Sequence, residues 1–432
     1  ESFLNLNQTQ MSITPSEILT PESKLPKGAW LVVVLLFFIG ALNYLDRIMI
    51  TTMRSSIIDA IPMSDAQFGL LTSAFLWTYG ILSPFAGFLA DKFNRSRIVI
   101  ASLLVWSAVT WLTAYSRTFE QLLITRILMG ISEAGYIPAA LALIADYHRS
   151  STRSLATGIH MTGIFVGSSL GFLGGLLAEN HSWNFLFISF GVAGIVYSIV
   201  VAVFLKDPPK NVVNNITRKA ERKINFFVGI RDLFRKRSFL LMLGYWGLFG
   251  FVGWLVMGWL PTYYKENFNL SQGVAGLYAT GYLYPAAIGG LLFGGFIADR
   301  WSRKNRLSRI HVPAIGLLIA APCIFLASWT TILPLAIFAF MIYSFTRAFG
   351  DSNMMPMLCM VVDPKYRATG YGVLNFFSTI IGGIAIYAGG VLRDSNIDLS
   401  NMYQFAALIM IICATLLFMV RLKSKSDGND FF

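Results

Sequence analysis

Charged side chains inside apolar stretches are the residues of this sequence best placed to do chemistry. Asp46 and Arg47 lie within the apolar run 30–53, and Arg126 and Glu133 lie within a later run. A charged side chain at the centre of a membrane-spanning helix costs about 2.5–3.5 kcal/mol on insertion scales. Such residues persist where they face a wet cavity or pair with opposite charges. A pair snorkelling near a helix end is the alternative for Asp46 and Arg47, but the second charged set favours the functional interpretation.

The spacing of these four residues predicts one cluster. Arg126 and Glu133 are seven residues apart, about two helical turns, and so share one face with Gly130 between them. If the first helix runs outward and the fourth inward, Asp46, Arg47 and Arg126 lie at one depth, ~10 Å below the outer surface. Glu133 is then about two turns deeper. Two acids and two bases satisfy the requirement for pairing in a medium of low dielectric constant.

A neutral cluster of this kind is a natural proton switch. Protonation of Glu133 or Asp46 releases an arginine, which is then able to bind an anion. Arginine is the better anchor for a carboxylate, because its planar fork makes two parallel hydrogen bonds. The sequence therefore predicts proton coupling through Asp46, Arg126 and Glu133 and anion binding at Arg47. The alternative is a structural tetrad that holds the first and fourth helices together.

Further polar residues are expected at the depth of the membrane midplane. A lone tyrosine is as often a packing residue with a satisfied hydroxyl group, and His160, near the inner end of the fifth helix, is interpreted as satisfied or solvated. Arg347 and Asp351 form an i,i+4 pair that is expected to gate or brace the second half, with a cavity-lining role as the alternative. Besides Arg47, the predicted substrate-binding residues are Tyr44, Tyr79, Tyr136, Thr162, Asn375 and Ser378.

The composition indicates a protein embedded in a lipid bilayer. Of 432 residues, 55% are hydrophobic and only 13% are charged, which is typical of a polytopic helical membrane protein. The net charge of +12 comes from short segments between apolar runs. This pattern favours a positive-inside bias over nucleic-acid binding. The three cysteines lie in apolar runs without disulfide or zinc spacing, and we expect them to be packing residues.

Twelve apolar runs have the length of a membrane span, so the predicted fold is all-α, with twelve transmembrane helices in two pseudo-symmetric six-helix bundles. The predicted domains are a tail 1–28, a bundle 29–205, a basic linker 206–237, a bundle 238–421 and a tail 422–432. Lys and Arg concentrate in alternate connections, which predicts that both termini are cytoplasmic. The predicted helix cores are 29–53, 66–90, 98–116, 119–145, 153–178, 183–205, 239–263, 273–298, 309–328, 331–358, 367–392 and 400–421.

The two halves of the sequence repeat. The segment Gly87-Phe-Leu-Ala-Asp91-Lys-Phe-Asn-Arg95 recurs as Gly295-Phe-Ile-Ala-Asp299-Arg-Trp-Ser-Arg303, each after the second helix of its half. Duplicated halves with a binding site between them are typical of secondary transporters. The charged residues of the repeat are expected to form a latch at the inner face that affects transport rate more than substrate choice. This predicted latch comprises Asp91, Arg95 and Asp146 and their counterparts Asp299, Arg303 and Asp363.

These features resemble the major facilitator superfamily from about residue 30 to residue 421. Four further motifs are similar to the anion:cation symporter branch, which includes proton-coupled sugar-acid carriers: Asn43-Tyr-Leu-Asp-Arg47, Arg126 with Gly130-Ile-Ser-Glu133-Ala-Gly, Ala156-Thr-Gly158 and Gly372-Val-Leu-Asn375-Phe-Phe. The resemblance implies that the acids of the first and fourth helices bind the proton. It also implies that Arg47 meets the substrate carboxylate, with Tyr44 and Tyr79 at matching positions. Spinster-like lipid carriers have a similar Asp-Arg pair and a similar Gly-x-x-Glu-Ala motif.

Two departures from the sugar-acid pattern favour a bulkier or less hydroxylated anion. Ile164 stands where sugar-acid carriers often have an amide, and the tenth helix is lined with methionines where a tryptophan is common. The predicted function is proton-coupled symport of an organic anion, such as a hexuronate, an aldonate or sialic acid, by alternating access. The alternative is a spinster-like lipid or multidrug exporter. No phosphate-binding loop, metal-ligand cluster or nucleophile–base pair occurs, so we expect the protein to have no enzyme activity and to bind no cofactor or metal. We also expect it to be a monomer in the inner membrane.

Overall fold

A computed structural model describes residues 25–148, 150–207, 226–363 and 366–420. Within these ranges, the side chains at 84, 86–92, 150, 151, 226, 227 and 368 are not described. Eleven helices in the described ranges are long and apolar enough to cross a membrane. A further helix of 28 residues, Asp65–Lys92, packs among them. The prediction of an all-α membrane protein with two six-helix halves is confirmed.

The twelve long helices are labelled in chain order. In the first half they are α1 Ala29–Thr52, α2 Asp65–Lys92, α3 Arg95–Thr113, α4 Phe119–Tyr147, α5 Thr152–Asn180 and α6 Trp183–Phe204. In the second half they are α7 Arg237–Asn267, α8 Gln272–Ser302, α9 Ser308–Trp329, α10 Leu333–Val361, α11 Arg367–Asp394 and α12 Leu399–Met419. Two short helices, Arg54–Ala60 and Phe226–Arg235, precede α2 and α7.

Three of the long helices are interrupted or irregular along their length. α4 consists of Phe119–Glu133 and Tyr136–Tyr147, so its interruption directly follows Glu133. α5 is interrupted between Ser169 and Phe172. α8 contains a π-helical stretch, Leu277–Tyr282, and single π-turns inside α-helices are frequent at functional sites.

Glycines permit the close helix packing around the charged residues. A Cβ atom at Gly167 of α5 would collide with the Ala41 carbonyl of α1, and one at Gly130 of α4 would lie 2.7 Å from the Phe75 carbonyl of α2. Small residues let helix backbones approach closely in a membrane, where there is little hydrophobic force between helices. Gly130 therefore brings α4, with its arginine and its glutamate, against α2.

The two halves meet mainly through α2 with α11 and through α5 with α8. The hydroxyl of Ser73 donates to the Gly383 carbonyl at 2.7 Å, and that of Thr280 donates to the Ser169 carbonyl at 3.2 Å. Ion pairs also join the halves at the end of the molecule where α1 ends and α2 begins, which we call the opposite end. The end where α1 begins and α12 ends is called the terminal end.

Candidate functional site

Arg47 of α1 and Glu133 of α4 form a buried ion pair. The Nη2 atom of Arg47 donates to Oε2 of Glu133 at 2.7 Å, and the two side chains are 2% and 0% exposed. The predicted depth difference of two turns is therefore wrong for the charged groups, although it concerned the right residues. Side chains lean toward the N-terminus of their helix. Because α1 and α4 run in opposite directions, the two side chains lean toward each other and close the gap.

Three aromatic rings surround the Arg47 guanidinium. Its Cζ atom lies 4.5 Å from the centroid of Tyr44, 4.7 Å from Phe75 and 4.9 Å from Tyr79. A desolvated cation over an aromatic ring gains about 2 kcal/mol, so the rings stabilise Arg47 even when Glu133 does not. The structure thus brings Tyr44 and Tyr79 to Arg47. Phe75 was not among the predicted residues, although it stands one turn before Tyr79 on the same face.

Asp46 and Arg126 lie in the same cluster without forming an ion pair. Asp46 interacts electrostatically with Glu133 and Arg126, but within the described residues its one hydrogen-bond partner is the Thr110 hydroxyl, which donates at 3.3 Å. Arg126 contacts the sulfur of Met129 at 3.2 Å and lies over the Phe75 ring. The four predicted residues therefore form one cluster with a single direct ion pair.

Several buried polar atoms of this cluster have no hydrogen-bond partner among the described residues. They are Oε1 of Glu133, Oδ1 of Asp46, Nε of Arg47, Nε and Nη2 of Arg126 and both side-chain polar atoms of Asn43. Buried polar atoms in native proteins are normally satisfied, so each exception requires an explanation. Here the free atoms give the cluster spare capacity to accept a proton and to donate to a ligand.

No hydrogen bond in the described residues joins Arg47 to the four other predicted substrate residues. Tyr136 lies in the core of the first half, where its hydroxyl donates to the Leu36 carbonyl at 3.0 Å and its ring meets Trp106 edge-on. Thr162 is exposed and donates to the Gly158 carbonyl of its own helix. Ser378 is buried against Gly250 of α7. Asn375 is half-buried on α11.

The predicted latch residues are only partly paired as expected. Arg95 and Asp146 lie 2.5 Å apart, and Arg95 also donates to the Ala142 carbonyl. The Asp91 side chain lies outside the described residues. The repeat predicts a mirrored arrangement that the second half does not have. Asp299 pairs with Arg309 at 2.8 Å, Arg303 is exposed, and Asp363 pairs with Lys236 at 2.5 Å.

An ionic cluster that was not predicted lies at the opposite end, where Arg54 and Asp65 of the first half meet Glu266 and Arg393 of the second. Nε of Arg393 lies 2.9 Å from Asp65, and its Nη2 lies 2.9 Å from Glu266. Arg54 pairs with the same two acids. Both guanidinium groups lie within 6 Å of the centroid of the Trp259 ring, at 5.7 Å and 5.5 Å. This opposite-end cluster fastens the two halves together.

A second connection at this end is a helix cap supplied by the other half. The Asp394 carboxylate accepts hydrogen bonds from the backbone N–H groups of Asp65 and Ala66 at 2.9 Å and 3.0 Å. These N–H groups open α2, where unsatisfied donors and the helix dipole favour an anion. Closure of this end is therefore tied to the start of α2.

Comparison with known proteins finds a family match, similar sequences and a similar fold. The sequence model of the Major Facilitator Superfamily matches residues 36–386. The chain is 27% identical over 387 residues to protein spinster homolog 1 of Xenopus tropicalis, covering 84% of this chain and 72% of that protein. It is 25% identical over 432 residues to a probable L-galactonate transporter of Escherichia coli strain K12, covering 96% and 93%. A crystal structure of a bacterial homologue of spinster superposes with a TM-score of 0.76 at 22% identity, covering 90% and 96%.

Proposed function

Because the chain belongs to the Major Facilitator Superfamily and is thus a multi-pass membrane transport protein and not an enzyme, we propose that it couples an organic anion to a proton at Arg47 and Glu133. The observation that carries the proposal is the buried pair of these two residues inside an aromatic cage. The pair lets one arginine serve two carboxylates, that of the protein and that of the substrate, in turn.

The coupling follows from the cost of leaving a buried charge alone. Breaking a buried ion pair by removing one partner costs about 3–5 kcal/mol. When Glu133 is protonated and no anion is bound, Arg47 is left without a negatively charged partner. When an anion arrives and Glu133 is not protonated, the anion must compete with Glu133 for Arg47. The proton and the anion therefore each raise the affinity for the other by about two to four orders of magnitude. Half-loaded states are rare, and transport of one without the other is suppressed.

Asp46 and Arg126 complete the proton site. Protonation of Glu133 removes one negative charge from the surroundings of Arg126. Asp46 is then the acid whose negative charge offsets the positive charge of Arg126. Two guanidinium groups among the carboxylates also repel a sodium ion, while a proton removes a negative charge without needing space. The arrangement thus favours the proton as the coupling ion.

Alternating access requires the opposite end to open. With the termini cytoplasmic, as the distribution of Lys and Arg predicts, the opposite end faces outward, and the Arg54–Asp65–Glu266–Arg393 cluster holds it shut. Arg95 and Asp146 hold helices within one half at the inner face. The two halves then move as bodies around the central site, and one chain in the inner membrane is sufficient to form that site.

A second candidate function is export of an amphiphilic lipid. The aromatic cage around Arg47 and the similarity to spinster homolog 1 favour it. Arg47 would then bind the anionic headgroup, and an apolar chain would pack on Phe75 and Tyr79. The two candidates share the anion site and differ in whether the rest of the ligand is polar.

The test is uptake of labelled L-galactonate by purified protein in liposomes with an imposed inward proton gradient. A second set of vesicles carries the gradient and a protonophore, and a third set, with and without the protonophore, is given labelled short-chain lysophosphatidic acid in place of galactonate. Accumulation that the protonophore abolishes supports anion symport. Proton-dependent movement of the lipid with no galactonate transport favours the exporter, and no proton dependence of either ligand contradicts the coupling site.

A further inference from the structure

A second charged pair stands in the middle of α10. Nη1 of Arg347 lies 3.1 Å from Oδ2 of Asp351, one turn further along the same helix, and the side chains are 20% and 31% exposed. The guanidinium lies 3.8 Å from the centroid of the Phe249 ring of α7. Two charged, partly exposed side chains at the centre of a spanning helix are expensive unless they face a polar space.

That space is the cleft between the halves, as two tyrosines indicate. Tyr284 of α8 interacts electrostatically with Tyr44 of the first half and with Arg347 of the second. Tyr371 of α11, which is 39% exposed, interacts electrostatically with Tyr44 and with Asp351. Since Tyr44 lies over the Arg47 guanidinium, the two arginines approach one cleft from opposite halves.

A bracing role uses only part of the Arg347 guanidinium. The ion pair with Asp351 lies on one helix, where such pairs contribute little, and Arg347 reaches α7 through the face of the Phe249 ring. The hydrogen bond from Arg347 to the Phe249 carbonyl is long, at 3.5 Å. Nε of Arg347 has no hydrogen-bond partner in the described part of the chain. The guanidinium therefore keeps donors that its protein neighbours do not use.

We propose that Arg347 is a second anion-binding residue and that the substrate carries two anionic groups, one held by Arg47 and the other by Arg347. This inference rests on the proposed function and narrows its substrate class to dianions such as dicarboxylic sugar acids. The groups that face Asp351 are Arg347 and Tyr343 of α10, Tyr245 of α7 and Tyr371 of α11. Asp351 is thus the one acid among the described residues that faces Arg347. We expect it to orient the guanidinium of Arg347 through their ion pair.

A ligand bound at both arginines connects the two halves. Arg47 belongs to α1 and Arg347 to α10, so a dianion adds a bridge that exists only when both halves converge on it. A monoanion of the same length engages one half by charge and the other by hydroxyl groups alone. Dianions are therefore selected in the closed, occluded state, and the discrimination is set by Arg347.

The experiment compares galactarate with galactonate, which share a six-carbon hydroxylated chain and differ in a second terminal carboxylate. Uptake kinetics are measured in proteoliposomes for wild type, Arg347→Gln, Arg347→Lys and the control Arg309→Gln, which removes an arginine that pairs at the terminal end. We expect wild type to prefer galactarate. Arg347→Gln should raise the KM for galactarate about tenfold or more, because a charged contact is lost, and leave that for galactonate within about twofold. Arg347→Lys should lie between, and Arg309→Gln should not alter the ratio.

Equal loss of both anions in Arg347→Gln and Arg347→Lys would show a structural role and overturn the inference. So would a wild type that accumulates galactonate and ignores galactarate, and in that case the proposed symport would stand. If neither anion moves in wild type, both the inference and the proposed function fail. A variant that does not fold is replaced by competition in wild type, where galactarate must displace galactonate with the lower inhibition constant.

Discussion

The central cluster and the opposite-end cluster contain the same kinds of residue in different surroundings. Arg47 and Glu133 are fully buried and lie within one half. Arg54, Asp65, Glu266 and Arg393 retain 14–41% of their side-chain exposure and join the two halves. A buried pair cannot lose a partner cheaply, so it is suited to coupling two ligands. A partly exposed cluster exchanges its contacts for water at small cost, so it is suited to opening and closing.

The largest effect is expected from Arg47→Ala. It removes the proposed anion anchor and leaves Glu133 buried without its cation, so we expect loss of transport of at least about a hundredfold and destabilisation of about 3–5 kcal/mol if Glu133 stays charged. Uptake in proteoliposomes and thermal unfolding in detergent measure the two effects. Arg117→Ala, at an exposed arginine before α4, is the control. Wild-type uptake by Arg47→Ala would remove the anion site from the central cluster.

A smaller effect of another kind is expected from Arg393→Ala. It deletes two of the contacts that hold the opposite end shut, each worth about 0.2–1 kcal/mol. The open state should therefore gain several-fold in population, with the KM for the substrate nearly unchanged. The readout is labelling of Ser56→Cys by an impermeant maleimide, in a chain in which Cys323, Cys359 and Cys413 are replaced by Ala. Ser56 bonds to Gln272 of the second half, and unchanged labelling would contradict the gate.

Asp394→Ala tests the cap that one half supplies to the other. Removal of a side-chain cap costs about 1 kcal/mol, so labelling of the same cysteine should rise by less than in Arg393→Ala. Asp398→Ala is the matched control, since Asp398 stands at the N-cap of α12 without a side-chain cap hydrogen bond. Equal effects of the two substitutions would mean that capping of α2 does not contribute to closure.

The smallest effect is expected from Lys236→Gln, at the terminal end. Partial burial lowers the pKa of Lys236, but its hydrogen bonds to Asp232 and Asp363 outweigh this and raise the pKa above its ordinary value. The contribution of a group with a raised pKa is complete below its unfolded value and is lost only as the pH rises through the folded value. Lys236 therefore stays charged between pH 5 and pH 8, and Lys236→Gln should not change the shape of the pH profile of uptake. A shifted profile would assign part of the pH dependence to this contact.

The sequence predicts the central cluster well because the cost of burying a charge is visible in the chain itself. Asp46, Arg47, Arg126 and Glu133 stand out against apolar neighbours, and the helical period places them together. It predicts Tyr136 less well. Tyr136, three residues after Glu133, also meets α1, but its hydroxyl donates to the carbonyl of Leu36, about three turns before Arg47, so it packs in the core of the first half.

The opposite-end cluster could not be predicted from spacing. Its four residues come from four separate helix ends, and each alone has the appearance of a solvated loop charge. Only the packing of α11 on both α2 and α7 brings the charges together. The internal repeat, in contrast, predicts a contact that does not form. It predicts corresponding partners for Asp91 and Asp299, but Asp299 pairs with Arg309 at the start of α9 and not with Arg303.

If Glu133 links the proton to the anion by competing for Arg47, Glu133→Gln tests this link most directly. The neutral amide keeps the shape of the protonated acid, so the variant should exchange labelled for unlabelled L-galactonate across the liposome membrane as fast as wild type. It should fail to accumulate the anion against a gradient at any pH between 5 and 8. Glu120→Gln, at an exposed glutamate in the first turn of α4, should behave as wild type in both assays. Proton-driven accumulation by Glu133→Gln would contradict the account.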